Sequence, residues 1–181
     1  MKGKISAIGG SAFDGKIAII SDVHNNEVNL KKVLDYCARE EIKTIICCGD
    51  LASKETLDFL CDNFTGMIHY TFGNMDNDYL KELENIKTLK QVIFYKTYGE
   101  TEIAGRKIAF VHFPETAKKL CQSGKYDFVF YGHTHKPWEK NIDRFKMLNP
   151  GNVAGEIYPP TFAVWNTEND KFELIRIHEL K

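Results

Sequence analysis

The five cysteines of this 181-residue chain include no CxxC pair. Their number is odd, and Cys37, Cys47, Cys48, Cys61 and Cys121 all fall within apolar-patterned stretches. That speaks against a disulfide framework and for free thiols in a reducing compartment. No apolar run approaches the length of a membrane span, and no charged, apolar, small-residue leader opens the chain, so a cytoplasmic protein is expected. An excess of positive charge is also missing. The net charge is −1 and the pI about 6.6, with arginine only at Arg39, Arg106, Arg144 and Arg176. A protein gripping duplex nucleic acid across many phosphates needs a basic face, so no duplex partner is expected. Low-complexity segments, long linkers and internal repeats are absent as well. What is present is 43% hydrophobic content, enough core for one domain spanning residues 1–181. The glycine-rich start, MKGKISAIGGSAFDG, reads as a loose arm or an extra edge strand over residues 1–15.

Short apolar runs then alternate with helix-period segments. KIAIIS (16–21) leads to EVNLKKVLDYCAREE (27–41), where Val28, Leu30, Val33, Leu34 and Cys37 approximate one stripe. KTIICC (43–48) leads to KETLDFLCDNF (54–64), and MIHYTF (67–72) to a helical stretch from about Asp78. KIAFVH (107–112) leads to ETAKKLCQSG (115–124), whose glycine marks a helix stop, and DFVFY (127–131) closes the series. Runs apolar on both faces belong to a sheet covered on both sides, which makes the fold α/β. Hairpins are expected across Ala104-Gly105 and around Asn166–Asp170, and these β pieces call for a second sheet packed on the first.

The polar residues fall at the strand ends. The runs finish in SDVHNN, CGDLAS, GNMDND, VHF and YGHTHKP, so Asp, Asn or His follows each apolar stretch. In open α/β sheets the site lies at the carboxyl ends of strands, and these residues would converge there. His133 and His135, like Asp22 and His24, stand at i and i+2, a spacing that points both side chains of an extended pair to one side. Glycines precede Asp50, Asn74 and His133 and suit sharp turns or close backbone approach. A set of Asp22, His24, Asp50, Asn74, His112, His133 and His135 is too large for one ion and fits two with one carboxylate shared.

In order and spacing, DVH, GD, GNMD, VH and GHTH resemble the signature of calcineurin-like metallophosphoesterases, in particular the small prokaryotic phosphodiesterase branch. The resemblance runs from about Lys16 through Asn149-Pro150-Gly151-Asn152. It implies a four-layer α/β/β/α sandwich with two mixed sheets. By the same resemblance Asp22, His24 and His135 hold one metal, Asn74, His112 and His133 the other, and Asp50 bridges. Asp50, Asn74 and His112 are then the residues nearest the chemistry, and small homo-oligomers are common in the branch.

Imidazoles, carboxylates and one amide oxygen, without thiolate, suit Mn²⁺ first, and also Ni²⁺, Zn²⁺ or Fe²⁺. Two such ions about 3.5–4 Å apart can clamp an in-line phosphoryl displacement, with a hydroxide between them as nucleophile. Two divalent ions, two aspartates and one hydroxide sum to a single positive charge because Asn74 is neutral, and a monoanionic phosphodiester matches it best. Monoesters stay open. Many relatives carry histidine where this chain has Met75, and a glycine where Phe113-Pro114 follow His112, so aryl diesters that need little leaving-group protonation are the expected substrates. A non-catalytic scaffold, as in the retromer subunit this branch also resembles, is the main rival. A nuclease lacks its basic groove, and a protein phosphatase lacks length and phosphate-clamping arginines.

Plainer readings stand beside these. Asp22 and Asp50 could cap helices or make turns, Asn74 could be a left-handed turn residue, and His112 a hydrogen-bonded core histidine. Asp76 is read as a cap on the following helix in preference to a group that orients the pocket. His69 and His178 are read as structural, Phe128, Phe130 and Phe162 as core, and Trp138 as lining the entrance. Specificity is assigned to loops around 114–124 and 136–144.

Overall fold

Along the chain, β1 (Lys16–Ile20), α1 (Glu27–Arg39), β2 (Thr44–Cys47), α2 (Lys54–Asn63) and β3 (Met67–Thr71) alternate, and a 3₁₀ turn (Asn74–Asp76) follows. Then come β4 (Val92–Tyr95), β5 (Gly99–Ile103), β6 (Arg106–Val111), α3 (Pro114–Gln122) and β7 (Phe128–Tyr131). The pairs β8 (Trp138–Ile142) with β9 (Phe145–Asn149), and β10 (Thr161–Asn166) with β11 (Lys171–Arg176), complete the order. This computed structural model describes residues 15–76, 90–142 and 145–181.

The period of two in the strands explains the layering. β1 sends Ala18 and Ile20 into one apolar cluster and Ile17 and Ile19 into another, and β2 divides Ile45 and Cys47 from Ile46 in the same way. On one side, Leu30, Val33, Leu34 and Cys37 of α1 and Leu57 and Leu60 of α2 cover the sheet. On the other, Ile17, Ile19, Ile46 and Trp165 meet Ile108, Phe110, Phe128 and Phe130 of a second sheet. Trp165 stands edge-to-face on Phe128 at 5.2 Å, and each fully buried side chain of this size contributes about 1.5–3 kcal/mol. The second sheet turns Ala109, Val111 and Val129 outward onto Ala117 and Cys121 of α3. The order is therefore helix, sheet, sheet, helix, as expected.

The first sheet runs β11-β10-β1-β2-β3-β4 and the second β5-β6-β7-β9-β8. The pairs β1–β2, β2–β3 and β3–β4 are parallel in one, as are β6–β7 and β7–β9 in the other, while β1–β10, β10–β11, β5–β6 and β8–β9 are antiparallel. Both sheets are thus mixed. Because β1, β2, β3 and β6, β7 are parallel within their sheets, their carboxyl ends bring the five polar tails together.

Both expected hairpins form, and Gly124, at φ 70°, receives the end of α3. Val28 leaves its assigned stripe and is 73% exposed, because it lies two residues before Leu30 and so on the far side of the helix. Strand β4 and the β8–β9 pair were not anticipated. The segments assigned as specificity loops prove to be mostly α3 and β8. Apart from Gly15, which pairs with Thr167, the N-terminal arm lies outside the described residues, as does the helical stretch expected from about Asp78.

Candidate metal centre

Neither aspartate caps a helix: α1 is capped by Asn26 and α2 by Ser53. Instead Asp22, His24, Asp50, His133 and His135 all sit at left-handed φ, between 47° and 69°. The backbone therefore bends locally just past β1, β2 and β7, where these side chains are presented. Asn74 is not left-handed; it opens the 3₁₀ turn after β3.

Glycine is required where neighbours would otherwise collide. A Cβ on Gly73 would lie 2.1 Å from Asp50 Oδ1, and one on Gly132 would lie 1.9 Å from Ser21 Oγ and 2.8 Å from Asp22 Oδ2. Gly49, at φ 103°, leaves space that His112 Nδ1 and the Gly73 backbone approach within 2.8 Å of a notional Cβ.

The seven expected residues come together in two groups. In one, Asp22 Oδ1 is 3.3 Å from His135 Nε2 and 3.8 Å from His24 Nε2. In the other, Asn74 Oδ1 is 3.1 Å from His112 Nε2 and 3.0 Å from His133 Nδ1. Asp50 Oδ2 faces both, 3.6 Å from His24 Nε2 and 3.2 Å from His112 Nε2. Its other oxygen accepts the Met75 N–H at 2.8 Å, which pins the carboxylate between the groups. His133 N–H donates to Asp22 Oδ2 at 3.0 Å, tying the β7 loop to the β1 loop. Asp22 and His112 are fully buried.

Asp76 is a correction. Its buried carboxylate accepts the N–H groups of Asp50 and Gly73 through Oδ2, both at 2.8 Å, and of Ala52 through Oδ1 at 3.0 Å. It orients the pocket by holding the β2 and β3 loops in register. Sequence reading also passed over Glu156, whose Oε2 lies 3.2 Å from His24 Nδ1. Asn149 and Asn152 hold the GHTH loop, Asn149 Nδ2 donating to the Gly132 carbonyl at 2.9 Å and Asn152 Nδ2 to that of His135 at 3.0 Å. The NPGN run was the available signal for them.

His69 stays outside the cluster, its Nδ1 3.0 Å from the Tyr95 hydroxyl, and His178 is exposed. Phe128, Phe130 and Phe162 are core. Trp138 does not join the ligand groups; it lines a groove of about 210 Å³ with Pro137, Phe172 and Leu174.

The electrostatics call for positive charge. Burial pushes the Asp22 carboxyl up, but the His135 and His24 imidazoles facing it prevail and hold it at about 2. Burial likewise opposes ionisation of Asp50, yet His112 and His24 hold it well below the usual carboxylate range. The Asp22 and Asp50 carboxylates that face its Nε2 lift His24 to about 10. The Asp22 bond raises His135, and His112 is raised by Asp50 despite its burial. Protonated imidazoles thus balance two buried carboxylates wherever no cation does so.

A metal ion fits the donors. His24 Nε2 is buried without a hydrogen-bond partner, although carboxylate oxygens surround it. Asp22, His24 and His135, and separately Asp22, Asp50 and His112, each offer ligand atoms within 4.8 Å of one another. Oxygen and imidazole donors without thiolate suit a divalent transition metal.

The calcineurin-like phosphoesterase superfamily domain matches residues 16–170. Proteins of this family bind divalent metals, and candidate ligands are present here. Phosphodiesterase MJ0936 of Methanocaldococcus jannaschii is 30% identical over 163 residues, 88% of this chain and 98% of that protein. A solved archaeal phosphodiesterase superposes with a TM-score of 0.81 at 30% identity, over 89% of this chain and 99% of its own. Vacuolar Protein Sorting 29 from Cryptosporidium parvum gives 0.65 at 19% identity, over 89% and 95%, a likeness of fold alone. A match over residues 16–170, on a chain whose five strand ends converge as described, means that this protein belongs to the calcineurin-like phosphoesterase superfamily.

Proposed function

We propose that the protein is a dinuclear metal-dependent phosphodiesterase. The observation that carries this is the position of Asp50. One of its oxygens lies within 3.6 Å of imidazoles from both groups while the other is anchored to the Met75 amide. A carboxylate fixed in that way is suited to bridging two cations. Asp22, His24 and His135 would hold one, and Asn74, His112 and His133 the other, with Mn²⁺ the best match to the donors. When bound, such ions supply Lewis-acid stabilisation of phosphoryl oxygens and acidify a water molecule to near neutrality.

The chain's own residues do the rest. The Asp76 clamp fixes the Asp50 backbone, the Cys48 carbonyl fixes the His112 ring at 2.9 Å, and the three glycines let the loops approach. Two carboxylates against two divalent ions leave the pocket positive, because Asn74 contributes none, and that charge suits a monoanionic diester. Beside Asn74 and His133, the described neighbours Met75 and Phe113 offer no leaving-group acid. Met75 is 48% exposed beside Asn74, and Phe113, 41% exposed, packs against the His133 ring at 5.2 Å. This apolar rim favours small aryl diesters with good leaving groups.

A shared intersheet core supports reading the chain as one metallophosphoesterase domain, and five free cysteines, four of them buried, support a reducing cytoplasm. No helix among the described residues is long and apolar enough to cross a membrane.

The experiment is hydrolysis of bis(p-nitrophenyl) phosphate with added Mn²⁺ or Ni²⁺. Turnover abolished in Asp50→Asn and His133→Ala, and falling steeply as the leaving-group pKa rises, is the expected result, since a general acid would contribute about 10²–10⁴-fold. No metal-dependent turnover would favour the scaffold reading.

A further inference from the structure

His24 and His135 turn one ring nitrogen inward and the other toward a single residue that belongs to no recognised motif. Their Nε2 atoms face Asp22 Oδ1 at 3.8 and 3.3 Å, and the rings stand edge-to-face with centroids 5.0 Å apart. Behind them, His24 Nδ1 lies 3.2 Å from the Glu156 carboxylate and His135 Nδ1 lies 3.4 Å from the Glu156 backbone oxygen. His112, by contrast, turns its Nδ1 to the backbone carbonyl of Cys48.

The loop that carries Glu156 is tied to both histidine loops. Asn152 Oδ1 accepts the N–H groups of Gly155 and Glu156, while Asn152 Nδ2 donates to the His135 carbonyl. Asn26 Nδ2 donates to the Ala154 carbonyl at 2.8 Å and Asn29 Nδ2 to that of Val153 at 2.8 Å. Glu156 therefore sits on backbone fixed relative to the residues it faces.

We propose that Glu156 is the positioning residue of the sub-site formed by Asp22, His24 and His135. The inference rests on the metal reading above. An imidazole that ligates through Nε2 must leave that nitrogen bare, so its proton resides on Nδ1. Glu156 offers an acceptor to each of those protons: its carboxylate to His24, its carbonyl to His135. The two acceptors select the ligating tautomer, fix both rings, and make the His24 nitrogen a stronger donor through the carboxylate. The side chain of Glu156 is 57% exposed, so water screens much of its charge at the pocket mouth. Its directional bond to His24 remains.

The test is calorimetric titration of the metal-free full chain with Zn²⁺, as wild type, E156Q and E156A, with imidazole ¹⁵N spectra of the Zn²⁺-loaded proteins. Removing such an outer partner typically costs about 10–100-fold in metal affinity. E156A is expected to weaken one binding step by that factor and leave the other within about threefold. The His24 Nδ1–H signal should shift or vanish while that of His112 stays, and E156Q, which keeps an acceptor oxygen, should fall between E156A and wild type. Wild type taking up two Zn²⁺ with E156A doing so equally well, or with both steps weakened alike, would overturn this inference alone. A wild type that takes up no Zn²⁺ would overturn the metal reading along with it.

Discussion

Replacing Asp76 with asparagine tests whether the pocket is held from behind by one carboxylate. Oδ2 serves two amides, Asp50 and Gly73, and Oδ1 serves Ala52. Asparagine can keep an oxygen at one of these positions only, so its NH₂ must confront at least one buried N–H. That orphaned amide costs about 1–3 kcal/mol, and the remaining bonds drop from the charged range of about 1.5–3 kcal/mol to the neutral range of about 0.5–1.5 kcal/mol. The sum is about 3–5 kcal/mol. Urea unfolding of the metal-free protein should show that loss with an unchanged m value. Asp50 hangs from one of the three amides, and small misplacements at a reaction centre cost about 10²-fold, so hydrolysis of bis(p-nitrophenyl) phosphate should fall by about that factor. The exposed Lys31–Asp35 pair gives the control, since Asp35→Asn should change stability by no more than about 1 kcal/mol. D76N matching that control in stability and retaining wild-type turnover would refute the argument.

His69 is buried on β3 and desolvation lowers its pKa from 6.5 to about 4. The unfolded chain therefore binds the extra proton between those values, so stability is fully present above about pH 6.5 and declines as pH falls toward 4, by about 3 kcal/mol in total. His69→Gln should flatten this acid-side slope in urea unfolding; an unchanged slope would assign it elsewhere. Cation uptake should have the opposite dependence on protons to a simple salt effect. Raised pKa values on His24, His112 and His135 mean that protons must leave as metal binds, so affinity should climb from about pH 6 to pH 8 with proton release, measurable by calorimetry in buffers of different ionisation enthalpy. Proton-neutral binding would contradict it.

What could be read from the chain is what acts locally. Ile17 to Ile20 report two-sided burial within five residues, and Asp22, Asp50, Asn74, His112 and His133 each lie just past such a run. Adjacency therefore singled out these candidate residues, and their division into two groups was implied by the family resemblance. Asp76 and Glu156 escaped because their partners are remote in the chain: Asp50 is 26 residues before Asp76, and His24 lies far before Glu156. An aspartate before a helical stretch looks like a cap from sequence, and only packing shows three amides of two loops around it. Strand β4 was missed because Val92–Tyr95 is four residues long and only Val92 is buried. β8 is an edge strand, and in it and its neighbour β9 polar residues interrupt the alternation that would mark them.

The backbone bends carry a separate argument about purpose. Five of the candidate ligand residues hold left-handed φ, a conformation costing of order 1 kcal/mol or more each, least for aspartate and histidine. If His133, at φ 69°, served the fold, replacing it would destabilise the chain. If it waits for a cation, glycine should be tolerated, because glycine adopts this φ without a Cβ penalty and, among the described residues, the side chain's hydrogen-bonding neighbours are Asn74 and His112. We therefore expect His133→Gly to leave the metal-free protein within about 0.5 kcal/mol of wild type, or more stable, while weakening one Zn²⁺-binding step and abolishing hydrolysis. Denaturation and titration on the same preparation separate the two roles. A loss above about 2 kcal/mol would mean that the imidazole supports the fold, and the strained loops could then no longer be attributed to the chemistry they surround.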